Sequence, residues 1–213
     1  MDYIIGVDFD NTIVNYEGVM YAVARQRGLI PHDTRKNKKD IRDKIRQLPD
    51  GEIAWQRLQA IMYGPGMGEA TLEDDVKTFF KLCKEREAHV YIISHKTEYA
   101  GFDETRTNLR AEAINWMREK GFFNADGLAL SPQDVFFEST RQEKLERIRN
   151  LRCTHFIDDL EEVFLEGSFP ANVERILYSP RTQLSSPGGI KVFSTWKEIY
   201  GYFLAQFIGT TLR

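Results

Sequence analysis

The sequence predicts an α/β fold in which a doubly wound parallel sheet carries a small all-helical segment inserted after its first strand. Three observations lead to this prediction. Short apolar runs rich in Val, Ile, Phe and Tyr alternate with segments of helical periodicity along most of the 213 residues. Several of the apolar runs stop abruptly at acidic or hydroxyl side chains. Residues 15–70 contain only helical patterns, so they interrupt the alternation directly after the first strand.

The first predicted strand covers residues 3–7 and stops at Asp8-Phe9-Asp10-Asn11-Thr12. Its aromatic and β-branched residues suit a buried parallel strand, because helices on both sides of such a sheet require both faces to be apolar. Residues two apart in extended chain point to the same side, so Asp8 and Asp10 can both project into the crevice at the strand's carboxyl end. Open α/β sheets bind their ligands in that crevice. Two carboxylates this close repel each other, which a bound hard cation such as Mg²⁺ would relieve.

The inserted segment contains three predicted helices, over 15–30, 35–47 and 52–63, followed by a glycine-rich stretch at 64–68 that is typical of a linker. We therefore assign residues 1–14 and 71–213 to an α/β core and residues 15–70 to a helical insert. The second helix carries a basic cluster. We interpret it as a solvated helix face, with contact to an anionic substrate as the alternative; its members are Arg35, Lys36, Lys38, Lys39, Arg42, Lys44 and Arg46.

The strand and helix alternation resumes after the insert. The strand predicted over 88–93 ends in Ser94-His95-Lys96, and the strand predicted over 153–157 ends in Asp158-Asp159. Because the ends of parallel strands open on the same edge of a sheet, these polar groups can converge with those that follow the first strand. The other predicted elements are helices over 71–86, 104–120, 139–150 and 195–207, a short helix ending near 167, and strands over 134–137, 173–178 and 190–193.

The composition limits the classes of partner. The net charge of −3 provides no basic field for nucleic acid or an anionic membrane. No apolar run approaches the roughly 20 residues that cross a bilayer, and the amino terminus lacks the pattern of a secretory signal. We therefore expect a cytoplasmic protein with a small soluble substrate, without nucleic-acid or membrane partners and with no indication of oligomeric state. Cys83 and Cys153 have no metal-type spacing, so we expect buried, reduced thiols.

The polar residues follow a definite order along the chain. It runs from Asp-x-Asp-x-Thr at Asp8 to Thr12, through Ser94 after a hydrophobic strand and Lys144 on a helix, to Asp158-Asp159 after another strand. This order resembles that of the haloacid dehalogenase (HAD) superfamily of phosphohydrolases. The resemblance covers residues 1–14 and 71–207. It implies a Rossmann-like core, with the helical insert in the position of a cap that closes over the site and selects the substrate.

The resemblance implies a magnesium-dependent phosphatase acting on a small phosphorylated metabolite, a sugar phosphate or a nucleotide. Asp8 would be the nucleophile and form an aspartyl-phosphate, and Asp10 would be the general acid and base. Ser94 would donate a hydrogen bond to a phosphoryl oxygen, and Lys144 would supply a fixed positive charge. In this superfamily, an acid two residues after the nucleophile marks phosphatases and phosphotransferases, so Asp10 argues against carbon–halogen chemistry.

The same resemblance implies the metal ligands. Mg²⁺ would be held by Asp8, by the backbone carbonyl of Asp10 and by Asp159, with Asp158 acting through a water molecule. The sequence leaves open which of Asp158 and Asp159 would bind the metal directly.

Substrate binding is assigned to Thr12, Ser94, His95, Lys96 and Lys144, with Thr12 tying the turn together. The alternatives to these roles are that Ser94 is an ordinary cap or turn residue and that Lys144 is a solvated helix lysine. Arg141, Lys120 and Lys96 are the other candidates for the cation at the phosphate site.

Two other functions are compatible with parts of the pattern. A receiver-type signalling module also combines an acceptor Asp with an acidic pair, Ser or Thr and Lys on a parallel sheet. Receivers place the acidic pair after the first strand and the acceptor on a later one, whereas here the order is reversed and a helical insert is present. A catalytically silent protein of the same fold, serving as a binding scaffold, is the second alternative.

Overall fold

The computed structural model describes residues 3–102, 106–128, 130–180 and 188–211. The chain divides into two compact units. The α/β unit contains Met1–Ile13, Leu72–Lys96 and Gly121–Arg213, and the helical unit contains Val14–Thr71 and Thr97–Lys120.

The strands in chain order are β1 (Ile4–Val7), β2 (Val14–Asn15), β3 (Thr71–Leu72), β4 (His89–His95), β5 (Val135–Glu138), β6 (His155–Asp158), β7 (Glu174–Tyr178) and β8 (Ile190–Phe193). The helices are α1 (Glu17–Gln26), α2 (Lys38–Ile45), α3 (Gly51–Tyr63), α4 (Val76–Glu85), α5 (Leu109–Glu119), α6 (Arg141–Asn150), α7 (Glu161–Leu165) and α8 (Trp196–Thr211), with 3-10 turns at Met67–Glu69 and Pro132–Asp134.

The α/β unit is built on a six-stranded sheet of order β5-β4-β1-β6-β7-β8. Each neighbouring pair in the described sheet is parallel. Helices flank it: α4 and α6 contact β4, and α8 contacts β8. The predicted α/β fold with a doubly wound parallel sheet is therefore confirmed. The short strands β2 and β3 pair separately, at the point where the insert leaves and rejoins the core.

The first strand lies at the centre of the sheet, between β4 and β6. Its residues Ile5 and Val7 are fully buried, as a strand covered on both faces requires. Gly6 pairs with Phe156 across the β1–β6 ladder. A Cβ atom on Gly6 would lie 2.5 Å from the Phe156 ring, so glycine lets that ring pack directly against β1.

The helical unit contains α1, α2, α3 and α5. Buried side chains such as Ile41, Trp55 and Leu58 form its interior. Sequence reasoning placed residues 97–120 in the core, whereas the structure groups them with the helical insert. Helix α5 contacts α3 and the 3-10 turn at Met67–Glu69, and its Trp116 indole donates a 3.0 Å hydrogen bond to the Ala70 carbonyl oxygen.

Element boundaries differ from the predicted ones where local bonds intervene. The helix predicted over 71–86 begins at Val76, because Thr71 and Leu72 pair in β3. The helix predicted to start near residue 104 begins at Leu109, where the Asn108 side chain accepts a hydrogen bond from the Ala111 amide. Residue 104 itself lies outside the described residues.

The glycine-rich stretch predicted as a linker is a packed helix end. The Gly66 amide donates a 2.7 Å hydrogen bond to the Ile61 carbonyl oxygen, and a Cβ on Gly66 would lie 2.9 Å from that oxygen. Glycine is therefore needed there for close approach of the backbone. Met67 follows in the 3-10 turn and is fully buried.

Both cysteines are buried free thiols, as predicted. Burial raises the pKa of Cys153 to about 12 and also raises the pKa of Cys83, because the thiolate would lose its hydration. Among the helices that the structure describes, none combines the length and the apolar character that a membrane crossing needs.

Candidate active site

The predicted site residues lie in the α/β unit, where β1, β4 and β6 end side by side. The backbone places them. The Asp8 amide donates a 2.9 Å hydrogen bond to the Ile157 carbonyl oxygen, which continues the β1–β6 ladder up to the first acid. In the same way, the Lys96 amide donates to the Glu138 carbonyl oxygen and extends β4 beside β5. Residues as far apart in sequence as Asp8 and Asp159 therefore meet at one edge of the sheet.

The Asp8 carboxylate is the centre of this site. It is only 5% exposed. Its Oδ1 accepts hydrogen bonds from Ser94 Oγ at 2.8 Å and from Lys144 Nζ at 2.7 Å. Its Oδ2 lies 3.3 Å from Thr12 Oγ1, a long contact in which the hydroxyl is the donor. The carboxylate is thus held from both sides by buried groups.

Lys144 links two acids. Its Nζ lies 2.7 Å from Asp8 Oδ1 and 2.6 Å from Asp158 Oδ2, and all three side chains are almost entirely buried. Burial acts to lower the Lys144 pKa, but the charges of Asp158 and Asp8 outweigh it, so the pKa is raised above its usual value. The lysine therefore stays protonated. Burial also raises the pKa of Asp158, against the opposing effect of Lys144.

Lys144 is the candidate cation that contacts Asp8. Arg141 pairs instead with Glu166 at the surface, and Lys96 pairs with Asp10. Lys120 lies in the helical unit, with its ammonium above the Trp116 ring.

Asp8, Asp158 and Asp159 form a three-carboxylate group. One oxygen from each lies within 4.8 Å of the others. Thr12 Oγ1, which contacts Asp8, also lies 3.5 Å from Asp159 Oδ1. Hard divalent cations bind such oxygen ligands. With Asp10 included, the described site holds four carboxylates and the ammonium groups of Lys96 and Lys144. The carboxylate oxygen ligands of this site and its excess of negative charge fit Mg²⁺.

The Asp10 carboxylate pairs with Lys96, whose Nζ lies 3.0 and 2.9 Å from the two oxygens. Lys96 is 3% exposed. Phe9, between the two acids, is fully buried, as the alternation of the strand predicts. Sequence reasoning listed Lys96 among substrate-binding residues but missed this pairing. The signal was present: Lys96 follows Ser94 by two residues, as Asp10 follows Asp8, so each pair points to one side.

His95 has a different position. It is an exposed residue between Ser94 and Lys96, and its Nε2 lies 3.0 Å from the Ser139 carbonyl oxygen. In the described part of the chain, its hydrogen bonds do not reach the Asp8 carboxylate. The structure therefore brings Thr12, Ser94, Lys96 and Lys144 to the site, while substrate binding by His95 stays a prediction.

Solved structures that are similar to this chain in fold include several HAD-superfamily hydrolases. A HAD hydrolase of family IA, variant 3, from Entamoeba histolytica matches with a TM-score of 0.57 at 12% identity, covering 98% of this chain and 100% of the other. A subfamily IA, variant 1 hydrolase from Geobacter sulfurreducens matches with a TM-score of 0.56 at 13% identity, over 94% and 96% of the two chains. A HAD family hydrolase from Deinococcus radiodurans matches with a TM-score of 0.56 at 15% identity, covering 97% of this chain and 96% of the other.

The chain therefore shares the fold of these HAD-superfamily hydrolases, which confirms the fold that the sequence resemblance implied. No protein-family model matches the chain, and no curated protein is significantly similar to it in sequence. At identities of 12–15% the likeness establishes the fold. The reaction must be argued from the chemistry of the site.

Proposed function

We propose that this protein is a magnesium-dependent phosphatase that hydrolyses a small phosphorylated metabolite, a sugar phosphate or a nucleotide, through an aspartyl-phosphate on Asp8. The observation that carries the proposal is the setting of the Asp8 carboxylate. It contacts a buried hydroxyl at Ser94 and a buried ammonium at Lys144, and it belongs to the three-carboxylate group. This setting supports the proposal that Asp8 acts as a nucleophile on a phosphoryl group, with Ser94 and Lys144 as donors and the three carboxylates as the cation site.

The first half of the reaction transfers the phosphoryl group. An oxygen of Asp8 attacks phosphorus, and the bond from phosphorus to the leaving oxygen breaks. Asp10, which enters this step protonated in the complex with substrate, donates its proton to that oxygen. Ser94 and Lys144 already contact Asp8, so they are placed to donate to phosphoryl oxygens as negative charge develops. The products of this step are the free alcohol and the aspartyl-phosphate.

The second half returns the enzyme to its starting state. Asp10, now deprotonated, takes a proton from water, and the water oxygen attacks phosphorus of the aspartyl-phosphate. Inorganic phosphate leaves and the Asp8 carboxylate is restored. General acid and base catalysis of this kind contributes about 10²–10⁴-fold in each step. The solved HAD family hydrolase from Deinococcus radiodurans has phosphate and sodium bound, which supports the proposal that a phosphate group binds to the present protein.

A magnesium ion would supply charge neutralisation and polarisation of the phosphoryl oxygens. The residues proposed to hold it are Asp8, Asp159 and the backbone carbonyl of Asp10, with Asp158 acting through water. The hydrogen bonds of Asp158 support the indirect role, because its Oδ2 accepts from Lys144 and its Oδ1 from the Leu160 amide at 2.9 Å.

Substrate recognition is proposed for Thr12, His95 and Lys96 in addition to Ser94 and Lys144. Because Lys96 contacts Asp10 directly, it is placed to bind near the oxygen that Asp10 protonates. The helical residues 15–70 are the proposed substrate-selecting cap. The cytoplasm is the proposed location, and neither nucleic acid nor membrane is a proposed partner.

The test is a screen of phosphorylated metabolites with and without Mg²⁺, comparing the wild type with Asp8→Asn. We expect turnover that requires Mg²⁺ and is lost in the variant, because an amide cannot serve as the nucleophile. Asp134→Asn is the matched control, since Asp134 pairs with His89 where β4 begins. It should retain wild-type turnover.

The other outcomes separate the alternatives. Equal turnover by wild type and Asp8→Asn would remove Asp8 as the nucleophile. A stable phosphorylated protein without turnover would favour the receiver-type module, and silence of both proteins would favour the scaffold. Release of halide from a 2-haloacid would move the reaction to carbon–halogen chemistry.

A further inference from the structure

The turn between the first two acids and β2 is held in a specific shape. Asn11 has a left-handed backbone with φ of 63°, and the Ile13 amide donates a 3.0 Å hydrogen bond to the Phe9 carbonyl oxygen. Thr12 is fully buried in this turn. Its hydroxyl contacts both Asp8 Oδ2 and Asp159 Oδ1. The position of Thr12 therefore bears on two carboxylates of the site.

The backbone of Thr12 is held from the far end of the sequence. The indole Nε1 of Trp196, at the start of α8, donates a 2.9 Å hydrogen bond to the Thr12 carbonyl oxygen across 184 positions. Trp196 is 1% exposed, and its ring contacts Phe79 and Tyr178 with centroid distances of 5.2 and 5.8 Å. An indole has one donor, so the packing of the ring fixes the direction of this hydrogen bond.

A second connection holds the next residue of the turn. The Glu73 amide donates a 2.9 Å hydrogen bond to the Ile13 carbonyl oxygen. The Tyr178 hydroxyl in turn donates a 2.9 Å hydrogen bond to Glu73 Oε2. Two consecutive carbonyl groups of the turn thus accept hydrogen bonds, that of Thr12 from Trp196 and that of Ile13 from Glu73.

We propose that Trp196 is a positioning residue, which orients Asp8 and Asp159 by holding the Thr12 carbonyl. Its effect on turnover rests on the proposed phosphatase function, whereas its effect on the turn does not. Replacement by Phe removes the donor but keeps most of the packing. A buried carbonyl is then left without its partner, and the turn can leave the geometry that both carboxylates need.

The kinetic test compares Trp196→Phe with Trp116→Phe. Trp116 is a close match, because it is also 1% exposed and its indole also donates to a backbone carbonyl, that of Ala70 in the helical unit. We expect both variants to lose thermal stability. Only Trp196→Phe should lower kcat, by about 10–100-fold, with KM changed less than about threefold, because orientation and not ground-state binding is lost.

A second readout needs neither metal nor substrate. Hydrogen exchange of the Ile13 amide, which is bonded to the Phe9 carbonyl oxygen, reports the order of the turn. In the protein without Mg²⁺, we expect this amide to exchange about tenfold faster in Trp196→Phe than in the wild type, the ratio that loss of a buried hydrogen bond produces. In Trp116→Phe it should exchange at the wild-type rate.

The two readouts separate the two hypotheses. Faster exchange in Trp196→Phe together with a wild type that has no phosphatase activity would support the positioning role and overturn the proposed function. Unchanged exchange and unchanged kcat in an active enzyme would overturn the positioning role. If Trp196→Phe does not fold, Tyr178→Phe tests the same turn through Glu73. It should lower kcat by about threefold, and an unchanged kcat there would count against the proposal.

Discussion

Lys144 contributes the one ammonium group that bridges two buried carboxylates in the described site. Its role was implied by the resemblance, in which a helix lysine lies between the strand that ends at Ser94 and the final acidic pair, and a solvated position was the alternative. Lys96 shows what sequence reasoning left out. Its pairing with Asp10 depends on which partner is nearest in space, and strand alternation gives only the side to which it points.

Replacement of Lys144 by Met should be destabilising as well as inactivating. Asp8 and Asp158 would face each other without the cation between them, and loss of one partner from a buried ion pair costs about 3–5 kcal/mol. We expect the melting temperature to fall sharply without Mg²⁺ and to recover in part when Mg²⁺ is added. Thermal unfolding with and without Mg²⁺ measures this. Lys77→Met, an exposed change on α4, should have no effect, and an equal melting temperature for the two variants would contradict the bridging role.

Helices and strands were predicted well where their own residues define them, and less well where their position depends on residues distant in sequence. The strands that end in acids could be identified, because a buried parallel strand must be apolar throughout. The unit to which α5 belongs could not be predicted, because its stripe of apolar residues indicates a buried face but not which helices or strands pack against that face. The glycine-rich stretch after α3 was mistaken for a linker because close backbone packing and flexibility both favour glycine.

The glycine in β1 offers a test of strand packing. Gly6→Ala should lower the free energy of unfolding by about 1–3 kcal/mol, because the new methyl group would overlap the Phe156 ring. Urea unfolding measures the difference. Gly18→Ala is the control, since a Cβ there meets nothing within 4 Å on α1 and alanine favours the helix by about 0.5–1 kcal/mol. Equal stability of the two variants would show that β1 and β6 can separate to accommodate the methyl group.

At the scale of the whole molecule, stability depends on groups far from the site. His155, at the start of β6, is 8% exposed and stacks on Tyr3. Burial lowers the pKa of His155 in the folded protein. The charge of Lys191 also lowers this pKa, whereas the charge of Glu174 opposes the shift. The unfolded chain therefore binds a proton more readily than the folded one.

The resulting pH dependence has a definite sign. The contribution of neutral His155 is present in full above the unfolded-state pKa of about 6.5 and is lost as the pH falls through the lower folded-state pKa. We expect the free energy of unfolding to drop more steeply between about pH 7 and pH 5 in the wild type than in His155→Gln. Urea unfolding over that range checks it. Parallel curves for the two proteins would show that His155 titrates alike in both states.

The central place of β1 has a consequence for how the chain acquires its shape. Ile4 pairs with His89, and Ile5 pairs with both Val90 and His155, so the innermost strand is joined only by segments about 85 and 150 positions further along. Closing such long loops slows the search for the native topology. Before β4 and β6 pair with it, β1 is an apolar strand with two unpaired edges, to which other chains can bind. We therefore expect the pairing of β1 with β4 and β6 to limit the folding rate, and a β1 that is not yet paired to favour aggregation.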